Sequence, residues 1–482
     1  MHAPAESPVP GASGALPTPD APGGLWRDLR DALRGTTHDY TSGALGRAIF
    51  LLAVPMVVEM SMESLFAVVD VFFVGRLGPT AVAVVGMTES LMIVVYTLGF
   101  GLSIGATATV ARRIGEGDAD GAARAAVQVV VLGAAVSGTL GLVGALFAPQ
   151  LLALMGAAPD VIAAGTGYAR VLLGGSATAF LLFVINATFR GAGDPAVAMR
   201  VLIIANTLNM VLDPLFIFGI GPFPELGVTG AAVATTIGRA TGLLVALRLM
   251  GRGAGHLRVR AEQLRIELRT MWGILRLSTA GTFQTAIGTM SWMAMIKVAS
   301  AFGSTAMAGY TIAIRLAIFA FMPAFGLGGA AATLVGQSLG AGKPERAEEA
   351  VRVATRYDVL FMATLGLVFG VLAHPIVGIF TDDPAAATVA VSGLRIMALG
   401  FPLFGAGMVL EQAFNGAGDT WTPTWINLIV YWMIQIPLAW LLARTFGLGV
   451  AGVFASVTVA YCVFVIVAYL LFRRGAWKAK YV

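Results

Sequence analysis

Asn209 and Asp213 stand four residues apart in the run VLIIANTLNMVLDPLFIFGI and are followed by Pro214. Four residues is one helical turn, so the amide and the carboxylate leave a helix on the same face. Proline has no backbone N–H, and Pro214 therefore frees the carbonyl near Asn209–Met210 to accept from another donor. An amide oxygen, a carboxylate and a freed carbonyl suit a proton or a small hard cation such as sodium. In an earlier apolar run, Glu59, Glu63 and Asp70 are spaced by 4 and 7 residues. At ~100° per residue they fall within about 40° of one another and share one helix face. Pro55 precedes them; it removes a helical hydrogen bond and permits a bend. A charge at mid-bilayer costs roughly 2.5–3.5 kcal/mol on insertion scales, so acids kept there are candidates for function.

The composition explains why these runs must lie in a membrane. The chain is 57% hydrophobic and 12% charged, with a mean hydropathy of +0.84. Soluble domains carry roughly 25% charged residues, so this one cannot keep its surface wet. Sixty glycines suit closely packed membrane helices. Apolar segments of about 20 residues read as spans. Twelve are predicted: 47–74, 81–108, 124–147, 161–189, 196–219, 228–249, 272–299, 305–335, 350–373, 386–414, 422–444 and 450–472. Lys and Arg accumulate on the cytoplasmic side. Arg112, Arg113 and Arg124 flank one loop, seven arginines lie between 248 and 276, and Lys343, Arg346, Arg352 and Arg356 flank a third. The tail adds Arg473, Arg474, Lys478 and Lys480, whereas the alternate loops carry only Arg76, Lys297 and Arg444. Both termini are therefore expected in the cytoplasm, with an even number of spans crossing the inner membrane.

The two halves repeat. FGLSIGATATVARRIGEGD (100–118) matches FGLGGAAATLVGQSLGAGK (325–343), RGAGD (190–194) matches NGAGD (415–419), and LGPTAVA (77–83) matches FGSTAMA (302–308). All three pairs are offset by 225 residues. Each copy holds an even number of spans, so the copies share one orientation and are related by an axis along the membrane normal. The expected architecture is all-α: two six-helix lobes with pseudo-twofold symmetry and a cleft between them. The N-lobe covers 45–249, a basic cytoplasmic linker 250–270, and the C-lobe 271–472, with a cytoplasmic tail at 473–482. Residues 1–44 read as a mostly disordered cytoplasmic tail. Within it Leu25, Trp26, Leu29 and Leu33 form one face of a short surface helix. That tail lacks a long apolar core, so no cleavable signal peptide is expected.

Depth places Asp70 and Asp213 together. Asp70 lies six residues before Arg76, about 9 Å along a helix, and Asp213 lies about 15 Å before the loop at Phe223. Two carboxylates in one desolvated pocket raise each other's proton affinity. At the 225 offset Asp70, Asp213 and Asn209 match Met295, Leu438 and Ile434, so this chemistry belongs to the first half alone. The second half instead has Glu411, matching Asn186, with Gln284 and Arg315. Met290, Met293, Phe319 and Phe401 add an adaptable apolar surface for varied ligands, and these residues are the predicted substrate cleft. The single Cys462 excludes a disulfide framework or a cysteine-based metal site, and four histidines give no metal or haem site.

With these residues in place, the chain resembles the multidrug and toxic compound extrusion (MATE) family, and most closely its DinF-like branch. The resemblance rests on AVP (53–55), VVDVFFVGRLG (68–78), FRGAGDP (189–195), NMVLDPLFIFG (209–219) and LGVTGAAVAT (226–235). Echoes follow in NGAGDTWTP (415–423) and LGVAGVFAS (448–456). It covers about residues 45–472. It implies a twelve-helix, two-lobed antiporter exporting amphipathic, often cationic, compounds in exchange for protons or sodium, without a cofactor. It further implies a cation site of Asp70, Asn209 and Asp213, with Asn186 and Thr235, and a bending role for Pro55. Two departures stand out: Phe66 replaces a common tyrosine, and Glu63 a frequent glutamine. The acid that one branch carries in the seventh span is absent, Gln284 being the nearest polar group.

Other classes fit less well. A flippase of lipid-linked precursors calls for a cationic cavity, but the acids here are anionic. No HExxH, GxSxG or paired Ser and His supports an enzyme, and the GxG pieces in RGRGAGH follow no strand, so neither nucleotide nor nucleic acid is an expected partner. The expected partners are small amphipathic molecules and membrane lipids. A passive channel is distinguished from an antiporter by gradient-dependent efflux. Twelve spans enclosing their own cleft predict a monomer.

Overall fold

The computed structural model describes residues 24–35, 38–253 and 255–481. Twelve long helices cross the molecule. The first six are Leu45–Gly75, Pro79–Gly115, Ala119–Leu146, Pro159–Ala192, Pro195–Phe218 and Val228–Arg252. The second six are Leu268–Ser300, then Ser304–Gly340, Pro344–Val371, Pro384–Gly416, Trp421–Thr445 and Gly449–Arg473. Eleven are long and apolar enough to cross a membrane. The seventh, Leu268–Ser300, has 33 residues, ample length, but is less apolar. Its Ser278 and Thr282 lie against Gly101 and Gly105 of the second span, and its Gln284 bonds Glu411. Its hydroxyls thus serve the contact between lobes, and its amide a bond within the second lobe.

The repeat is visible in the turns. Gly78 and Gly303, 225 positions apart, precede the second and eighth spans at φ 97° and 95°. Gly193 and Gly418, separated by the same offset, turn the chain after the fourth and tenth spans at φ 90° and 84°. A side chain is strained in this left-handed region, which is why glycine recurs there. Several spans open on proline: Pro79, Pro159, Pro195, Pro344 and Pro384. Its missing N–H is no loss in a first helical turn. Each lobe also has a short helix after its third span, Ala148–Leu154 and Ala373–Gly378.

The lobes meet where the first and second spans pack on the seventh and eighth. This contact is closest toward the end carrying the termini. A Cβ at Gly115 would collide with the Gln337 carbonyl, one at Gly340 with the Arg112 carbonyl, and Gly326 leaves room only for Val57. Small residues let these backbones touch, so the cleft is sealed at the basic end.

Two terminal segments reinforce that seal. Within the tail, Leu25–Arg34 is a helix, where the short surface helix is expected; residues 1–23 and 36–37 of that tail lie outside the described residues. The helix docks through Asp28 and Asp31 onto Arg47 of the first span. Leu25 and Trp26 remain exposed, while Ala32 is buried. The Leu/Trp stripe therefore faces away from the protein. Beyond it, Arg346 of the ninth span donates to the carbonyls of Tyr40, Ser42 and Gly43 at 2.6–3.1 Å. At the other terminus, Trp477 is buried on Phe472, and Arg112 of the second span donates to the Lys480 carbonyl at 2.8 Å.

Candidate functional site

In the half of the N-lobe away from the termini, the fifth and sixth spans bring three predicted residues together. The Asn209 amide donates to Thr235 Oγ1 at 3.0 Å and reaches Asp213 Oδ1 at 3.4 Å. Asn209 and Asp213 are buried, and Asn209 Oδ1 and Asp213 Oδ2 have no hydrogen-bond partner. Two buried oxygens without donors cost desolvation unless a proton or cation completes them. The helix runs through Pro214 without a break, and the missing N–H of that proline leaves the Met210 carbonyl free.

Asp70 approaches from the first span. It is 7% exposed, and its charge acts on Asp213. Asp70 and Thr235 line a cavity of about 490 Å³, shared with Glu63, Phe66, Glu89 and Arg239. The i,i+4 reading of Asn209 and Asp213 and their convergence with Asp70 thus appear in one place. Asn186 does not join them. It is buried in the fourth span, on the side of Glu59, and does not line the cavity that Asp70 and Thr235 share. Four residues before Arg190, it sits too near the basic end to reach Asp213.

Glu59 and Glu63 do not simply face water, as their proximity to the basic end would suggest. Glu59 is 2% exposed and pairs with Arg190 at 2.6 Å. Glu63 is held by both terminal nitrogens of Arg239, at 2.5 and 3.3 Å, and by the Asn206 amide at 3.1 Å. A fork of two N–H···O bonds fixes a carboxylate in orientation as well as in position. Arg239 also lies 5.0 Å over the Phe66 ring, a cation–π contact that an aromatic at that position supplies. Two ion pairs therefore tie the first span to the fourth and sixth. The helix containing Pro55 runs unbroken from Leu45 to Gly75.

Arg239 and Glu89 were legible by the same signal as the acids, a charge inside an apolar span, yet were passed over. So was Asp358 of the ninth span, fully buried with both oxygens unpartnered. Asn206 lies three residues before Asn209 and gave no distinct signal.

The C-lobe has its own polar cluster. Gln284 donates to Glu411 Oε1 at 2.5 Å and Asn427 reaches the same oxygen at 3.5 Å. Arg315 is exposed, and its charge faces Glu89 of the other lobe. Met290, Met293 and Phe319 are exposed, but Phe401 is fully buried. Phe401 packs edge-on against Phe321 at 5.1 Å and is a core residue, not part of the cleft. Its periodicity could not distinguish the inside of the lobe from the cleft side.

Comparison with known proteins agrees with this arrangement. The MatE family model matches residues 55–215 and 282–441, one segment in each lobe. "Probable multidrug resistance protein YoeA" of Bacillus subtilis is 26% identical over 92% of this chain and 96% of its own. "Probable multidrug resistance protein NorM" of Thermotoga maritima is 28% identical over 90% and 93%. A solved structure described as the outward-facing conformation of a multidrug resistance MATE family transporter superposes with a TM-score of 0.86. It is 26% identical and covers 92% of this chain and 100% of that one.

Proposed function

Because the chain belongs to the MatE family, we propose that it is a multidrug efflux antiporter, coupled to protons or sodium, which exports amphipathic, cationic compounds by alternating access. The observation that carries this reading is the pair of unpartnered buried oxygens on Asn209 and Asp213 beside Asp70. Those oxygens suit a small positive species, and the Asp70, Asn209 and Asp213 set has no counterpart at the 225 offset in the second lobe.

Cargo and ion compete through charge and shape. Three carboxylates line the N-lobe cavity, Glu63, Asp70 and Glu89, against one guanidinium, Arg239. That balance favours cationic over pyrophosphate-bearing cargo and disfavours a lipid-precursor flippase. Loading of Asp70 and Asp213 biases the first span, which the Glu59–Arg190 and Glu63–Arg239 pairs hold to its own lobe. The linkage is reciprocal: an ion that weakens drug binding is weakened by drug. The seal at the basic end supports an outward-facing state. On the positive-inside rule both termini lie in the cytoplasm, with the lobes at 45–249 and 271–472 in a bacterial inner membrane. The lobes enclose their own cleft, so a monomer suffices. The absence of an acid at Gln284 supports the DinF-like branch.

Dye efflux from proteoliposomes under an imposed pH gradient or an imposed sodium gradient tests the coupling. Asp70→Asn is expected to abolish efflux while the protein stays folded and inserted; wild-type efflux by that variant refutes the scheme.

A further inference from the structure

Each lobe carries one exposed arginine at positions related by the repeat, Arg170 in the fourth span and Arg395 in the tenth. Arg170 donates through Nε to the Ala145 carbonyl at 3.3 Å, and Arg395 through Nε to the Gly370 carbonyl at 3.2 Å. Donors and acceptors are both 225 positions apart, so the same arrangement has been built twice. The accepting carbonyls lie in the last turns of the third and ninth spans. Only Nε is used in each case, and among the described residues neither guanidinium has an acidic partner.

The surroundings are apolar. Leu142 and Leu146 beside Ala145 are each 62% exposed, and Leu367 and Val371 beside Gly370 are 67% and 65% exposed. Arg395 borders a groove of about 570 Å³ between the ninth and tenth spans, with Gly366 and Gly370 on its floor and Leu367, Leu399 and Pro402 on its walls. Each arginine lies eleven residues into its span, about 16 Å along the helix from its start, level with the last turn of the span before it.

A cation at that depth needs an anion, because an unpaired charge in hydrocarbon is costly. The protein supplies none on this face. The Arg stem reaches toward the interface, and its free Nη groups match the paired oxygens of a phosphodiester. Gly366 lets the Ala398 carbonyl of the tenth span come close, and the groove beside the two helices is wide enough for a lipid tail. We propose that Arg170 and Arg395 are two symmetry-related sites for glycerophospholipids of the leaflet opposite the termini. Each holds a lipid phosphate, and at Arg395 an acyl chain lies in the Gly366–Gly370 groove.

The test uses the full-length, delipidated protein with phosphatidylglycerol, counting bound lipids by native mass spectrometry and following thermal melting. Two tightly bound lipids are expected for the wild type, one for Arg170→Leu or Arg395→Leu, and none for the double variant. Loss of a charge-assisted hydrogen bond weakens each site by about tenfold or more. Arg395→Gln keeps a donor for the Gly370 carbonyl without the charge, and is expected to keep its lipid-free melting temperature while losing its lipid. An unchanged lipid count in the double variant overturns the proposal. So does a melting loss that is equal with and without lipid, which marks a purely structural role. Stabilisation of the wild type by inorganic phosphate to the same extent also overturns it, since the ligand is then a soluble anion.

Discussion

Thr235→Val isolates one oxygen of the proposed cation site with little change of shape. Thr235 Oγ1 accepts the Asn209 amide at 3.0 Å, and Asn209 is 2% exposed. A buried donor left without an acceptor costs about 1–3 kcal/mol. Here the amide has a second acceptor, Asp213 Oδ1 at 3.4 Å, and a small rotation toward it recovers part of that loss. The stability cost is therefore expected near the low end, about 1 kcal/mol. The functional cost is larger, because the variant removes a cation-facing oxygen and commits the amide to Asp213. The half-saturating concentration of the coupling ion is expected to rise by about tenfold, the equivalent of ~1.4 kcal/mol. The assay is dye efflux from proteoliposomes titrated with protons or sodium, beside thermal melting in detergent. An unchanged half-saturation with an unchanged melting temperature refutes the assignment of Thr235. A large melting loss without any shift in half-saturation marks it as structural only.

The Glu59–Arg190 pair is buried on both sides, with side-chain exposures of 3% and 13%. Arg190→Met alone is expected to destabilise by about 3–5 kcal/mol by leaving a buried acid unpaired, and the Glu59→Leu/Arg190→Met double variant to recover most of it; chemical denaturation in micelles measures both. In the linker, His256 has its pKa raised, chiefly by the hydrogen bond that its ring donates to Asp194 and against the lowering effect of burial. A raised value in the folded state means that its stabilisation is complete below about pH 6.5, the unfolded value, and fades as pH rises through the folded one. His256→Ala is expected to flatten the melting temperature between acid and alkaline pH, and an undiminished slope contradicts it. Gly340→Val cannot keep its approach to the Arg112 carbonyl. A cysteine at Ser103 in a Cys462→Ser background is then expected to become reactive to a membrane-impermeant thiol reagent from the terminal side, whereas protection equal to that in the parent refutes the seal.

Much of this was readable along single helices. The i,i+4 pair Asn209 and Asp213, the common face of the first-span acids and the 225-residue repeat need only the period of a helix and the identity of its residues. Gly78, Gly193, Gly303 and Gly418 sit at the turns where that repeat places them. Partners between helices were another matter. Glu63 reads the same in the sequence whether it faces water or the Arg239 fork, and Asn186 lies on the side of Glu59 rather than in the Asp70 cavity.

Sequence alone determined a polytopic, duplicated helical protein whose Asp70, Asn209 and Asp213 have no counterparts in the second half, because hydropathy, spacing and charge asymmetry are local properties of the chain. Tertiary structure alone decided which acids are neutralised by arginine, which buried oxygens remain open, and that Phe401 is core. Those outcomes depend on how each helix is rotated and how deep it sits beside its neighbours, and one-dimensional spacing does not record either.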